Sequence, residues 1–333
     1  MTIQITILGL EQIGASIGLA LAGKTEQLLR VGNDRSNGVA RQAEKMGAID
    51  KIQHNLPSAV AQADLVILAL PVDEIQDTIK VIAQDLKPGA VVIDTSPVKV
   101  VTTAWARAAL PEERYFVAFT AGLNPDYLAE TVSGIDAAHA DLFQNSLIFI
   151  TVPPNTNPDA VKLATDLASL LGATPLFADP YESDGLIAAS HTLPKLMAAA
   201  LLNSTTGQPG WIEGRKLAGR DYARATDPAV NLDERKQLGQ SALLNRDNVL
   251  RAMDNFSEAW HALREAIASD NAESLTGLLT KAQEERMAWW KARSTLRWDR
   301  PEERTQLPSS GQMLGRLVGL RPKGLDKGDK KKK

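Results

Sequence analysis

An α/β chain, with a doubly wound parallel sheet in its first half and an all-helical unit in its second, is what this sequence predicts. Three observations carry that prediction. An apolar, β-branched run at 3–8 passes into a tight loop bounded by Gly9 and Gly14, and then into a helix rich in small residues. Strand-like and helix-like segments alternate as far as residue 179. From Pro180 the apolar residues fall into long helical stretches instead.

The elements follow in order. The run at 3–8 has the length of a buried strand, and residues 15–22 read as a helix packed closely on it. A second apolar run ends at Asp34, 20 residues past Gly14. Strand, glycine loop, helix, strand and acid in this order are the layout of a Rossmann-type dinucleotide site. There the glycines let a pyrophosphate approach a helix N-terminus, and the acid holds the ribose hydroxyls. The candidate cofactor residues are therefore Gly9, Gln12, Ile13 and Gly14 on the loop, with Asp34 and Arg35 at the ribose. Asp34 favours NAD; NADP is the alternative, because Arg35 and Ser36 can meet a 2′-phosphate if Asp34 turns away. One glycine of the pattern is replaced by Glu11, which puts a carboxylate and a Cβ where the backbone should pass closest to the phosphates.

ADLVILALPV at 63–72 reads as a buried parallel strand ending in Pro71-Val72, and DEIQDTIKVIAQDL has helical spacing. KPGAVVIDTS at 87–96 gives a turn and a strand, and further strands are expected at 114–119, 146–154 and 172–179. An amphipathic helix is expected at 159–171, with Pro158 just before it. The dinucleotide-binding domain is accordingly placed at 1–179. A helical unit at 180–295 contains GLIAASHTLPKLMAAALLNST and long helical stretches at 243–267 and 272–293. Helices this apolar are usually covered by a second copy, so this unit reads as a dimerisation domain of a homodimer. The segment 296–333 ends RPKGLDKGDKKKK and reads as a disordered basic tail with little to bury.

Composition narrows the function. A formal charge of −3 argues against nucleic acid as a general partner. The absence of cysteine removes disulfide, thiolate and Cys-ligated metal chemistry and suits a cytoplasmic location. The four histidines, at 54, 139, 191 and 261, form no close pair, so no metal site is expected. No apolar run reaches the length of a membrane span, and the first residues form a strand instead of a signal peptide, so no membrane partner is expected.

Several separated segments resemble the prephenate/arogenate dehydrogenase family, over most of the chain from residue 3 to about 267. GLEQIGASIGLAL is similar to the family's glycine loop and places Ser16 on its serine. VGNDRS resembles its ribose-binding strand end, and ADLVILALPV the loop beside the nicotinamide, with Pro71. DTSPVK resembles a D-x-x-S-V-K segment, with Ser96 beside the Pro97 that takes the serine position. AGRDYARATDP resembles F-R-D-x-T-R-I-A and puts Arg224 on the arginine that holds the substrate carboxylate.

That resemblance implies an NAD(P)-dependent oxidative decarboxylation leading towards tyrosine, on a small-molecule substrate. Hydride leaves the ring carbon that bears the hydroxyl as carboxylate is lost. One group must deprotonate or polarise the hydroxyl, and a cation must hold the dianion. The family's histidine positions are not retained here. Thr120 takes the place of the histidine after the strand at 114–119, and the loop to Gly134 is longer than usual. S-H-L-P-H reads His191-Thr192-Leu193-Pro194-Lys195, and E-H-D reads Glu182-Ser183-Asp184. Candidate catalytic residues are thus Thr120, His191 and Lys195, with Arg224 and Ser96 as substrate-binding residues in a divergent site. Two alternatives stand beside this reading. One is an NAD(P)-dependent dehydrogenase of another hydroxy acid, for which Lys195 lies roughly where a catalytic lysine belongs. The other is a non-catalytic dimeric binding protein on the same fold.

Overall fold

A computed structural model describes residues 2–24, 27–230 and 237–296. Most of the tail at 296–333 lies outside the described residues. Strand β1 (Ile3–Leu8), helix α1 (Gln12–Leu21) and β2 (Leu28–Asn33) form the opening unit. They are followed by α2 (Asn37–Lys45), β3 (Lys51–Ile52), α3 (Leu56–Val60), β4 (Leu65–Leu68), α4 (Val72–Ile82), β5 (Val91–Asp94) and α5 (Lys99–Ala109). Then come β6 (Tyr115–Ala121), β7 (Ser146–Thr151), α6 (Pro158–Leu170) and β8 (Ala173–Phe177). The strands lie in the order β3-β2-β1-β4-β5-β6-β7-β8. Every residue of β4 and β5 is buried, as their unbroken apolar composition requires of strands covered on both faces. Ile5, Ile7, Ile67, Ile93 and Phe119 belong to one core, and Val66, Leu68, Val92 and Phe116 pack with Ile75, Ile79 and Ile82 of α4 on the other. Truncating one such isoleucine to alanine costs about 2–5 kcal/mol.

The sheet departs from the all-parallel expectation at one place: β7 runs antiparallel to β6. The reason is the connection. Among the described residues, 122–145 holds only two short 3-10 turns and no crossover helix, so the chain returns beside the strand it left. This long connection is pinned to α1. The His139 amide donates to Ser16 Oγ at 3.0 Å, the Tyr127 ring stacks on the His139 ring at 4.0 Å, and the Glu130 carboxylate lies 3.0 Å from His139 Nε2. Ser16 is fully buried and acts here as a packing acceptor.

The helical unit comprises α7 (Pro180–Ile187), α8 (Leu193–Thr206), α9 (Trp211–Leu217), α10 (Arg220–Thr226), α11 (Gln237–Leu244), α12 (Arg246–Ala268) and α13 (Ala272–Thr295). Between α7 and α8, residues Ala188–Thr192 form a π turn in which the Leu193 amide donates to Ala188 O. Pro194 explains it: a proline lacks the N–H of the α ladder, and its ring crowds the carbonyl one turn back. The sequence expectation of no membrane-length apolar stretch is corrected here. α7, the π turn and α8 run together from Pro180 to Thr206, long and apolar enough to cross a membrane by length and composition alone. Ser190, His191 and Lys195 interrupt the apolar run but not the helix, which packs against α5 and α12.

Candidate active site

The sheet order reverses between β1 and β4, so a crevice opens outside the carboxyl ends of these strands, where open α/β sheets bind ligands. A cavity of about 350 Å³ lies there. Its walls bring together Gly9, Asp34, Arg35 and Pro71, four of the predicted cofactor residues, with Glu11 at the same site. Gly14 is buried behind the loop, while Gln12 and Ile13 form the first turn of α1 and do not line the cavity; Ile13 packs against the core. Their placement follows from the helix starting at Gln12, three residues earlier than the sequence spacing indicates.

The loop needs its two glycines. Gly9 has φ +90°, and a Cβ there would come within 2.2 Å of Ala69 O; one on Gly14 would meet Gly9 O at 1.9 Å. Glu11 needs none, because its φ of −78° and ψ of −161° are ordinary extended backbone. The loss of the middle glycine is therefore accommodated without strain in the chain. Asp34 ties the loop to β2: Oδ2 accepts from the Leu10 amide at 2.9 Å and Oδ1 from the Ser36 amide at 2.8 Å. Carboxylate oxygens have two lone-pair directions each, so both retain capacity for ribose hydroxyls. A helix N-terminus, a glycine loop and an acid at the second strand end are a donor set that fits a nicotinamide dinucleotide. The sequence reading missed His54, Asn37 and Glu74, which share this cavity. The acidic first turn of α4 was the available signal for Glu74.

Further along the sheet edge, β5 and β6 end in a buried polar cluster. Lys99 is fully buried, and its Nζ donates to Ser96 O and, at 2.6 Å, to Phe119 O, with Asp94 Oδ2 3.7 Å away. Asp94 also accepts from Ser96 Oγ at 2.8 Å and from Thr102 Oγ1 at 2.9 Å. Helix α5 has no local side-chain cap. The carboxylate of Asp184, from α7, supplies one by accepting from the Lys99 amide at 2.5 Å and the Val100 amide at 3.1 Å. Desolvation holds the Lys99 ammonium below the ordinary lysine range although Asp94 and Asp184 oppose it, and desolvation likewise raises the Asp184 carboxyl.

Thr120, the penultimate residue of β6, lies two positions past Ala118, which pairs with Asp94, so its side chain shares that face of the sheet. Its hydroxyl is buried and has no hydrogen-bond partner among the described residues. Ser96 is tied to the same strand end through Lys99 Nζ, which donates to both the Ser96 and Phe119 carbonyls, but its hydroxyl is spent on Asp94. His191 lies in the π turn, with Ser190 Oγ 2.8 Å from its Nδ1. Desolvation and then the Lys195 ammonium hold its pKa below the ordinary histidine value, although the residue keeps an exposed edge. Lys195 is exposed on α8, and Arg224 is exposed on α10, where no ion pair joins it to Asp221 or Asp227. Among the described residues no hydrogen bond or ion pair joins Thr120, His191, Lys195 and Arg224 to one another, although the Lys195 charge acts on His191 one turn away.

Comparison with known proteins agrees with this architecture. A family profile described as the prephenate dehydrogenase nucleotide-binding domain matches residues 17–175. The chain is 27% identical over 278 residues to the prephenate dehydrogenase of Bacillus subtilis, covering 81% of this chain and 72% of that one. It is 26% identical over 289 residues to the cyclohexadienyl dehydrogenase of Zymomonas mobilis, covering 85% and 95%. Among solved structures, the prephenate dehydrogenase of A. aeolicus in complex with hydroxyphenyl propionate and NAD+ superposes with a TM-score of 0.76 at 21% identity, covering 86% and 98%. Synechocystis arogenate dehydrogenase gives 0.69 at 20%, covering 86% and 100%. With a glycine loop, an acid at the second strand end and a helical unit closing the sheet edge, the chain is similar to prephenate dehydrogenases, and its residues 17–175 match the nucleotide-binding domain profile of that family.

Proposed function

We propose that the chain is an NAD-dependent dehydrogenase of the prephenate/arogenate type, carrying out oxidative decarboxylation of a ring hydroxy acid. The carrying observation is the cavity at the sheet's switch point, which holds Gly9, Asp34 and Pro71 in a chain whose residues 17–175 match the prephenate dehydrogenase nucleotide-binding profile. NAD supplies the hydride acceptor when bound: the helix α1 N-terminus takes the pyrophosphate and Asp34 the ribose hydroxyls. The two units, 1–179 and 180–295, meet at the ends of β5 and β6, and substrate is assigned to that junction.

Each remaining residue has a proposed task there. Thr120 hydrogen-bonds the substrate hydroxyl through its unpartnered Oγ1, which cannot act as a base at neutral pH. The proton is assigned to His191, whose depressed pKa keeps the imidazole neutral and able to accept, with Lys195 one helical turn on as the alternative. Arg224 clamps a carboxylate. Ser96 positions Asp94 and thereby the end of β5. The site is thus divergent from the family pattern, and the missing imidazole at position 120 is its main departure.

The test is nicotinamide absorbance with prephenate, arogenate and a panel of other hydroxy acids, each with NAD and NADP. Reduction with prephenate or arogenate supports the reading. Turnover confined to another hydroxy acid favours the second enzyme class, and no binding of either dinucleotide in calorimetry favours a binding protein.

We also propose a homodimer formed through the helical unit. Helix α13 buries no residue in the single chain, although it carries Leu279, Met287, Trp289 and Trp290. Leu217 is 87% exposed and Trp260 59%. Apolar surface of this extent is what a subunit interface covers. Light scattering of the purified chain distinguishes one copy from two.

A further inference from the structure

The adenosine end of the cavity is more acidic than a 2′-phosphate tolerates. Its described lining includes three carboxylates, Glu11, Asp34 and Glu74, and Arg35 is the only arginine or lysine among them. That arginine is engaged. Its Nη1 donates to Glu74 Oε1 at 2.5 Å, across from the end of β2 to the first turn of α4. Glu74 is well placed to stay there, because an acid in the first turn is favoured by the helix dipole. Asp34, the neighbouring acid, is itself fixed by the Leu10 and Ser36 amides, so it does not swing out of the way.

We infer that the Arg35–Glu74 pair is a cofactor-selectivity lock: Glu74 holds the guanidinium that would otherwise meet a 2′-phosphate, so NAD is accepted and NADP refused. The inference rests on the reading of this cavity as a dinucleotide site, and assigns specificity to a residue on α4 in addition to the acid on β2. The pair is partly solvent-accessible, with Arg35 56% and Glu74 30% exposed at their side chains, so its own hold is modest. A phosphate dianion offers the guanidinium a bidentate partner, and releasing Glu74 makes that partner available.

The experiment is calorimetric titration of NAD and NADP into the purified full chain, into Glu74→Gln, into Arg35→Ala, and into the double variant. Expected are tighter binding of NAD by the parent and a rise of about tenfold in the NADP-to-NAD affinity ratio in Glu74→Gln, the scale of one charge-assisted hydrogen bond. That rise disappears when Arg35→Ala is added. An unchanged ratio in Glu74→Gln overturns the lock. So does an equal rise in the Arg35→Ala background, since it would mean that Glu74 acts only by repelling the phosphate. Failure of the parent to bind either dinucleotide overturns the underlying reading of the cavity, and a 2′,5′-ADP titration separates the two failures by probing the phosphate subsite alone.

Discussion

Replacing Asp184 by alanine tests the buried carboxylate cap of α5. The substitution removes the acceptor for two amides at the start of α5, those of Lys99 and Val100, and takes one carboxylate away from the buried Lys99 ammonium. Each unsatisfied buried donor costs about 1–3 kcal/mol. With two amides losing their acceptor, the expected loss is about 2–4 kcal/mol in all. At about 2–4 °C per kcal/mol for a unit of this size, the midpoint falls by roughly 10 °C. Urea unfolding followed by circular dichroism reads the free energy, and a thermal scan reads the midpoint. Asp184→Asn, which keeps one acceptor oxygen, loses less. A loss below about 0.5 kcal/mol for Asp184→Ala, the range of ordinary surface changes, refutes the assignment of Asp184 as the cap of α5.

Three other outcomes are expected. Gly9→Ala forces a Cβ towards Ala69 O at φ +90°, so it costs at least about 2 kcal/mol in denaturant unfolding and weakens dinucleotide binding in the same protein. Arg224→Ala raises KM for a carboxylate substrate more than it lowers kcat, whereas Thr120→His raises kcat and introduces an inflection near the usual histidine range; steady-state kinetics against pH separate the two effects. Tyr127 donates to Asp141 Oδ1 at 2.6 Å, and that hydrogen bond, ahead of desolvation, raises its pKa to about 12. Because the folded value lies above the unfolded one near 10, its contribution to stability is whole below pH 10 and is lost as pH rises towards 12. Tyrosinate absorbance in Tyr127→Phe should lack the most alkaline component of the parent titration.

The parts of the fold that were legible in the sequence are those fixed by short-range physics. β1 is bounded by its apolar run and a glycine that must take positive φ, and β4 and β5 by their uninterrupted burial. The position of Asp34 at the cavity was legible because it depends only on where β2 ends. The direction of β7 was not, because a strand's composition carries no sign and only the missing crossover helix reverses it. The π turn was equally hidden: Pro194 signals an irregular ladder but does not say whether the chain stops or widens. Lys99 at a helix start reads as a solvated charge. Its burial becomes visible only when Asp184, 85 residues later, is folded onto it. The proposed catalytic residues have the same character, since Thr120 and the helical-unit residues come from elements far apart in sequence.

Buried charge of this kind is costly, and well-packed apolar residues can replace it with no loss of stability. Its retention here is explained by position. A carboxylate on α7 caps α5, the capped lysine reaches back to the carbonyl of Phe119, and Phe119 precedes Thr120 on β6. The Asn245 side chain adds a hydrogen bond to Asp184 O at 2.7 Å from the junction of α11 and α12. This contact between the two units is therefore also one that ties down the end of β6. An apolar patch can slide by an ångström at little cost, but a helix N-terminus facing a carboxylate has one preferred alignment. A reaction that divides its cofactor and its substrate clamp between two units depends on that alignment, because a misplacement of 1 Å costs rate even when every group is present.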